Sequence, residues 1–155
     1  MVAWETMAIL ALIHALVGTL WLGSMGYSLF VVQPRVARVL RNPEQAEDVY
    51  RELGAGQRWR VIGLMGLLLV SGLGLVALLR PAPVLWWVVV FVKAALLAGA
   101  GGLFWWVSWR GWPRRIFALP DELPGIQRRF RVVAVAMLGL VGVSYVLGVV
   151  ADTFR

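Results

Sequence analysis

Four long stretches of the chain carry almost no formal charge. Residues 6–34, 61–79 and 132–151 contain no charged side chain, and residues 81–109 are interrupted only by Lys93. A bilayer core about 30 Å thick is crossed by about 20 apolar residues of helix. The pattern therefore predicts four membrane-spanning helices, over residues 6–33, 61–79, 84–109 and 132–151.

The composition agrees with a chain that is surrounded by hydrocarbon. Of its 155 residues, 61% are hydrophobic and 15% are charged, whereas soluble domains are about half apolar and about a quarter charged. Such a chain has too few polar side chains to cover a water-facing globule. We expect an all-α fold: a single transmembrane domain, 1–155, that forms an antiparallel four-helix bundle. No internal repeat is apparent.

The arginines are concentrated in two connections. Residues 33–60 hold six arginines and four acids, and residues 110–131 hold six arginines and two acids. By the positive-inside rule, the cytoplasmic connections are 34–60 and 110–131, and both termini lie outside. This topology predicts a multi-pass protein of the plasma (inner) membrane. It also explains the net charge of +7 without a nucleic-acid partner, because no soluble domain is present to carry a basic face.

The two connections differ in their helix signals. In the first, Asn42 is a candidate N-cap, Pro43 suits the first helical position, and Gly54 suits the end of a helix. The second contains three prolines and is expected to be irregular. Its arginines are expected to meet anionic lipid headgroups. These side chains are Arg114, Arg115, Arg128, Arg129 and Arg131.

Small residues at four-residue spacing allow helices to approach closely in lipid. Ala94, Ala98 and Gly102 form one such row. The row could pack inside the bundle, or it could pack against a second copy of the chain or a larger membrane complex. The sequence leaves these alternatives open.

Two ionisable groups lie within the predicted spans, His14 and Lys93. Ionisable groups inside a membrane are costly and are functional candidates. At about 1.5 Å per residue, both lie roughly 12 to 13 Å from the outer boundary. Ser71, Ser144 and Tyr145 fall at similar depth, which predicts one polar layer in the outer half of the bilayer. The alternative is structural: His14 bonds a neighbouring helix and Lys93 extends towards the headgroups.

The first span places His14 on a stripe with Met7, Trp21 and Met25, because helical residues seven or eleven apart nearly eclipse. Thioether and imidazole ligands suit Cu(I), so Met7, His14 and Met25 are candidate metal ligands. The methionines are too far from His14 to share one ion with it, so they would mark a path. No constellation typical of an enzyme is present, and catalytic activity is not expected.

The first span also resembles a known family. His14, six residues, Trp21, one residue and Gly23, followed by Pro34 and Arg35, resemble the CopD-like (copper resistance D) membrane proteins, and Lys93 is similar to a lysine in that group. The resemblance implies handling or transport of copper at the outer face. The same residues are distantly similar to HemJ-type protoporphyrinogen oxidases.

Three functions are therefore open. The first is copper handling, as the family resemblance implies. The second is a haem b-binding redox protein; the oxidase resemblance implies His14 as axial ligand and Lys93 as its partner, and Trp21 and Tyr145 are further candidate cofactor contacts. The third is an accessory subunit of a larger membrane complex.

Overall fold

The computed structural model describes residues 2–40, 42–78 and 83–151, and in these ranges the chain is almost entirely helical. Two of the long helices each run through a five-residue π-helix into a short α-helix. The α-helices are α1 (Val2–Tyr27), α2 (Gln33–Val39), α3 (Pro43–Gly54), α4 (Gln57–Leu78), α5 (Val84–Trp106), α6 (Trp112–Ile116) and α7 (Leu123–Ala151); the π-helices are Ser28–Val32 and Val107–Gly111.

Four helical segments are long and apolar enough to cross a membrane: Trp4–Val39, Gln57–Leu78, Val84–Ile116 and Pro120–Val150. The predicted all-α helical bundle is thereby confirmed. The predicted spans 6–33 and 84–109 lie within these helices, and 132–151 extends one residue beyond its helix. The span 61–79 also lies within its helix, except for residue 79, which is outside the described residues. Which end of the bundle faces the cytoplasm remains a prediction. We call the end that carries the 34–60 and 110–131 segments the connection end.

The helices pack as two close pairs, α1 with α4 and α5 with α7, and α1 also contacts α7. Trp21 fills the centre between the pairs and is only 2% exposed. Its buried neighbours come from all four long helices: Val17, Leu68, Ala100 and Val141. Most of the remaining apolar side chains point outwards, as expected where lipid is the solvent.

Each π-helix is followed by a proline two residues after its end, at Pro34 and Pro113. Proline has no backbone N–H, and its ring clashes with the carbonyl four residues earlier. The wider π turn makes room for the proline ring. In it, the N–H of Gln33 bonds the carbonyl of Ser28, and that of Trp112 bonds the carbonyl of Val107.

The first connection contains the helix start and end that its sequence predicted. The side chain of Asn42 accepts a hydrogen bond of 2.9 Å from the backbone N–H of Glu44. Pro43 begins α3 and Gly54 ends it. The chain then turns at Gly56, whose φ of +73° is in the left-handed region that glycine tolerates.

The prediction that the second connection is irregular is wrong. It contains α6 and a short 3-10 helix, Pro120–Glu122, and α7 already begins at Leu123. Pro120 begins the 3-10 helix and Pro124 is the second residue of α7. A missing N–H is harmless there, because the first N–H groups of a helix have no intrahelical partner. Pro113 lies within a continuous helical run and is accommodated by the π turn before it.

The two halves of the chain follow the same plan, contrary to the expectation of no repeat. In each half a spanning helix passes through a π-helix to a Pro-Arg pair, and both features recur after 79 residues. In the following spans the pattern Gly-Leu-x-x-Val-Ser, at 66–71, recurs 73 residues later at 139–144.

This plan places His14 and Lys93 at equivalent positions, because they too are 79 residues apart. The serines that end the second pattern, Ser71 and Ser144, are both buried, at 1% and 3% exposure. His14 and Lys93 therefore each lie 14 residues before the π-helix of their own half.

Candidate functional site

His14 is bound to the neighbouring helix α4. Its Nδ1 lies 2.9 Å from the hydroxyl of Ser71. Ser71 in turn donates to the carbonyl of Leu67 at 2.7 Å, with Leu68 as a longer second acceptor. A hydroxyl has one proton. Since Ser71 gives that proton to its own helix, the proton between the two side chains belongs to His14 Nδ1, and the lone pair of the neutral ring is on Nε2.

Gly72 makes this approach possible. A Cβ atom at residue 72 would lie 3.2 Å from Cε1 of His14 and 3.6 Å from Nδ1. A side chain there would push the imidazole away from α4 and from Ser71. The glycine thus fixes the ring against the helix that supplies its hydrogen-bond partner.

A second hydrogen-bonded pair joins α1 to α7. The hydroxyls of Thr19 and Tyr145 are 2.9 Å apart, and Thr19 donates to the carbonyl of Ala15 at 2.8 Å. Tyr145 is therefore the donor to Thr19. Its ring lies over Gly18, where a Cβ would be 3.5 Å away. The sequence predicted Tyr145 as a polar-layer residue, whereas Thr19 was missed because an uncharged threonine gives no signal within a spanning helix.

Lys93 extends from α5 across the face of α7. Its Nζ would lie 2.6 Å from a Cβ at Gly148, so the absence of a side chain at Gly148 makes room for the ammonium group. The charge of Lys93 acts on the imidazole of His14. The two equivalent positions of the halves therefore contribute to one electrostatic environment.

The rest of the α1 stripe also faces the bundle. Met7 and Met25 are half-buried, and Met25 packs against the core around Trp21. The indole N–H of Trp21 is buried and has no acceptor among the described residues. Met7 and Met25 lie about 10 and about 16 Å from His14 along the helix. The described residues contain no group of three or more His, Cys, Asp or Glu side chains that could hold a metal ion.

A second polar centre lies at the connection end. Glu47 of α3 is 1% exposed. Its carboxylate accepts hydrogen bonds of 2.5 and 2.9 Å from Arg115 of α6, and one of 2.9 Å from Gln127 of α7. Arg51 lies 3.6 Å from the same carboxylate and donates to the backbone carbonyl of Arg115 at 3.0 Å. We call these four residues the Glu47 cluster.

Aromatic rings surround the guanidinium of Arg115. The centroids of Phe130, Tyr50 and Trp112 lie 4.9, 5.6 and 5.9 Å from its central carbon, within the range of cation–π attraction. Trp112 itself packs on Gly54, where a Cβ would overlap the indole ring. The glycine that ends α3 therefore also receives this side chain.

Burial alone raises the pKa of the Glu47 carboxyl, but its partners outweigh this effect. Hydrogen bonds from Arg115 and Gln127, together with the charges of Arg115 and Arg51, hold the pKa below its ordinary value. Burial raises the pKa of the Tyr50 phenol, with a further contribution from the Glu47 charge that the charge of Arg115 opposes. The Glu47 cluster is thus an ion-paired centre at neutral pH.

The expectation that Arg115 meets lipid headgroups is wrong. Arg115 is 9% exposed and its guanidinium is engaged by Glu47. The sequence showed the local spacing of Glu47 and Arg51, which do form an ion pair. It contained no signal for the dominant partner, which lies 68 residues away.

The fold and its apolar surface define an all-α polytopic membrane protein. Comparison with protein-family models, with curated proteins and with solved structures finds no match for this chain.

Proposed function

We propose that this protein binds haem b, with Nε2 of His14 as the axial ligand. The carrying observation is the hydrogen bond between His14 Nδ1 and Ser71. A metal-ligating histidine usually donates its other ring N–H to an oxygen acceptor, which fixes the tautomer and the ring orientation. Ser71 supplies that acceptor, and half-burial of His14 leaves part of the ring accessible.

Lys93 favours a cofactor with negative groups over a bare cation. Its ammonium acts on His14 electrostatically, so it would repel a copper ion there and attract the carboxylates of a haem. A bound haem would have one histidine ligand from each chain, because the sequence contains a single histidine. Bound haem would supply one-electron redox chemistry. The chain's own contribution would be to orient the imidazole and to place a positive charge beside it.

Optical spectroscopy of the purified protein tests this proposal. Protein from haem-replete cells is expected to show a Soret band, which His14→Ala abolishes. Ser24→Ala is the matched control, because Ser24 lies on the same helix and its hydroxyl bonds a backbone carbonyl, that of Trp21, without touching His14. A colourless wild-type preparation, or equal Soret bands in wild type and His14→Ala, would contradict the proposal.

Copper handling is the second candidate, and the inward orientation of the methionines favours it. Met7 and Met25 are half-buried on the stripe that contains His14. Their separation suits successive weak sites along a path, since thioether ligands prefer Cu(I). Cu(I) binding by wild type, Met25→Leu and the control Met137→Leu would test it; Met137 is buried on α7 outside this stripe. Binding that is unchanged in Met25→Leu and His14→Ala would contradict copper handling.

We further propose a location in the plasma (inner) membrane with the connection end in the cytoplasm, as the arginine distribution indicates. The small-residue row of α5, Ala94, Ala98 and Gly102, is exposed in the single chain. This exposure is consistent with a second copy or a larger membrane complex as partner. Cross-linking of a cysteine introduced at residue 98 would detect the homodimer.

A further inference from the structure

A groove opens at the connection end between the last turn of α5 and the first turns of α7. Trp106 forms one side of it, and the other side comes from α7: Gly125, Arg128, Arg129, Val132 and Val133. A smaller adjoining cavity shares Trp106 and Arg129 and adds Arg114 to the lining. Neither lining includes His14 or a residue of the Glu47 cluster, although Phe130, which packs on Arg115, lines the smaller cavity.

Three arginines of this end are held by other groups of the protein. Arg51 and Arg115 belong to the Glu47 cluster, and Arg58 donates to the carbonyl of Ser108 and stacks on Trp109. The groove arginines, Arg128 and Arg129, are exposed. Within the described residues they form no hydrogen bond or ion pair, so the protein itself does not neutralise the two adjacent positive charges.

Apolar surface continues directly from these charges. Val132 and Val133 follow Arg128 and Arg129 by four residues, which is about one helical turn, and Trp106 faces them across the groove. The groove therefore presents guanidinium groups at its outer edge and an apolar wall towards the membrane interior. A phospholipid has the same arrangement: its phosphate lies at the membrane surface and its acyl chains extend into the membrane interior.

We propose that this groove is a binding site for one anionic phospholipid. Arg128 and Arg129 bind its phosphate, and Trp106, Val132 and Val133 contact the upper part of an acyl chain. Arginine suits this role because its planar guanidinium forms paired hydrogen bonds to phosphate oxygens. The charge complementarity favours an anionic headgroup over a zwitterionic one. The site does not depend on what His14 binds.

Native mass spectrometry of the full-length protein in detergent tests the proposal with two lipids of equal acyl chains, phosphatidylglycerol and phosphatidylcholine. Phosphatidylglycerol is expected to bind preferentially. Arg128→Gln with Arg129→Gln is expected to weaken its binding by about 25-fold, or about fivefold per arginine. Arg35→Gln with Arg38→Gln is the matched control; both of these arginines are exposed on α2 at the same end, and this pair is expected to change binding by less than about twofold.

A charge-neutral variant separates the groove from general electrostatic attraction. A Cβ at Gly125 meets no atom within 4 Å, and Gly125 lines the groove, so Gly125→Leu places an apolar side chain there without a clash at its Cβ. It is expected to reduce phosphatidylglycerol binding while both arginines remain. Equal losses in the two arginine pairs, or full binding by Gly125→Leu, would overturn the proposal. Displacement of the lipid by millimolar inorganic phosphate would also overturn it, because the site would then be one for the free ion.

Discussion

Arg115 of α6 and Glu47 of α3 bind each other through two parallel hydrogen bonds of 2.5 and 2.9 Å, although they are 68 residues apart in the chain. Each comes from a different connection, and both are buried. Their pairing therefore joins the two long connections into one structure at the end of the bundle. A buried ion pair of this kind depends on complete partnering, since either charge alone would be left without water or counter-charge.

Removal of one partner is expected to destabilise the protein strongly. Glu47→Ala leaves the buried guanidinium of Arg115 unpaired and is expected to lower the free energy of unfolding by about 3 kcal/mol. Equilibrium unfolding in detergent micelles measures this change. The neighbouring Asp48→Ala is the control, because the Asp48 side chain is 77% exposed. A similar effect of the two substitutions would show that the Glu47 pair contributes no special stability.

The same carboxylate predicts a particular acid dependence. The pKa of Glu47 is lowered on folding from an ordinary value of 4.5, so the unfolded chain takes up this proton more readily than the folded one. The stabilisation is therefore full above the ordinary pKa and is lost as pH falls through the lowered folded value. The stability difference between wild type and Glu47→Gln is expected to be constant from about pH 7 to about pH 5 and to shrink below that. A difference that grows on acidification would contradict this assignment.

Gly54 is expected to tolerate no side chain. Its Cβ would overlap the ring of Trp112, and overpacking of this kind costs about 1–3 kcal/mol. Thermal unfolding of Gly54→Ala should therefore show a lowered midpoint. Gly63→Ala, where a Cβ meets open space, is the matched control and is expected to be neutral or slightly stabilising. An unchanged midpoint for Gly54→Ala would mean that Trp112 does not pack on the end of α3.

The hydrogen bond at His14 predicts a single tautomer. Because the chain has one histidine, the ¹⁵N NMR spectrum of histidine-labelled protein at a pH where the ring is neutral reports this side chain alone. Nδ1 is expected to carry the proton and Nε2 the lone pair. Ser71→Ala removes the acceptor and should yield a mixture of tautomers, while Ser24→Ala, on the far side of Trp21 along α1, should leave the spectrum unchanged. A wild-type ring protonated at Nε2 would reverse the donor assignment and remove the support for an Nε2 ligand.

The helices were predictable because their signals are local. Hydropathy over about 20 residues identifies a span whatever its neighbours are, and Asn42, Pro43 and Gly54 define α3 through backbone groups only a few residues away. The second connection was mispredicted because proline breaks a helix in its interior and is accepted in its first turn. Composition alone does not distinguish these positions: the structure places Pro120 and Pro124 at helix starts and Pro113 directly after a π turn.

Four apolar helices, and the prediction that His14 and Lys93 lie at similar depth, could be derived from the chain alone, because both follow from spacing along a helix of fixed rise. The partners became visible only in the folded bundle: Ser71 for His14, Gly148 beneath Lys93, and Arg115 for Glu47. These pairings depend on which helix faces pack together through small residues and on contacts between segments that are distant in the sequence. Such relationships arise from packing in three dimensions, and no periodicity along one helix encodes them.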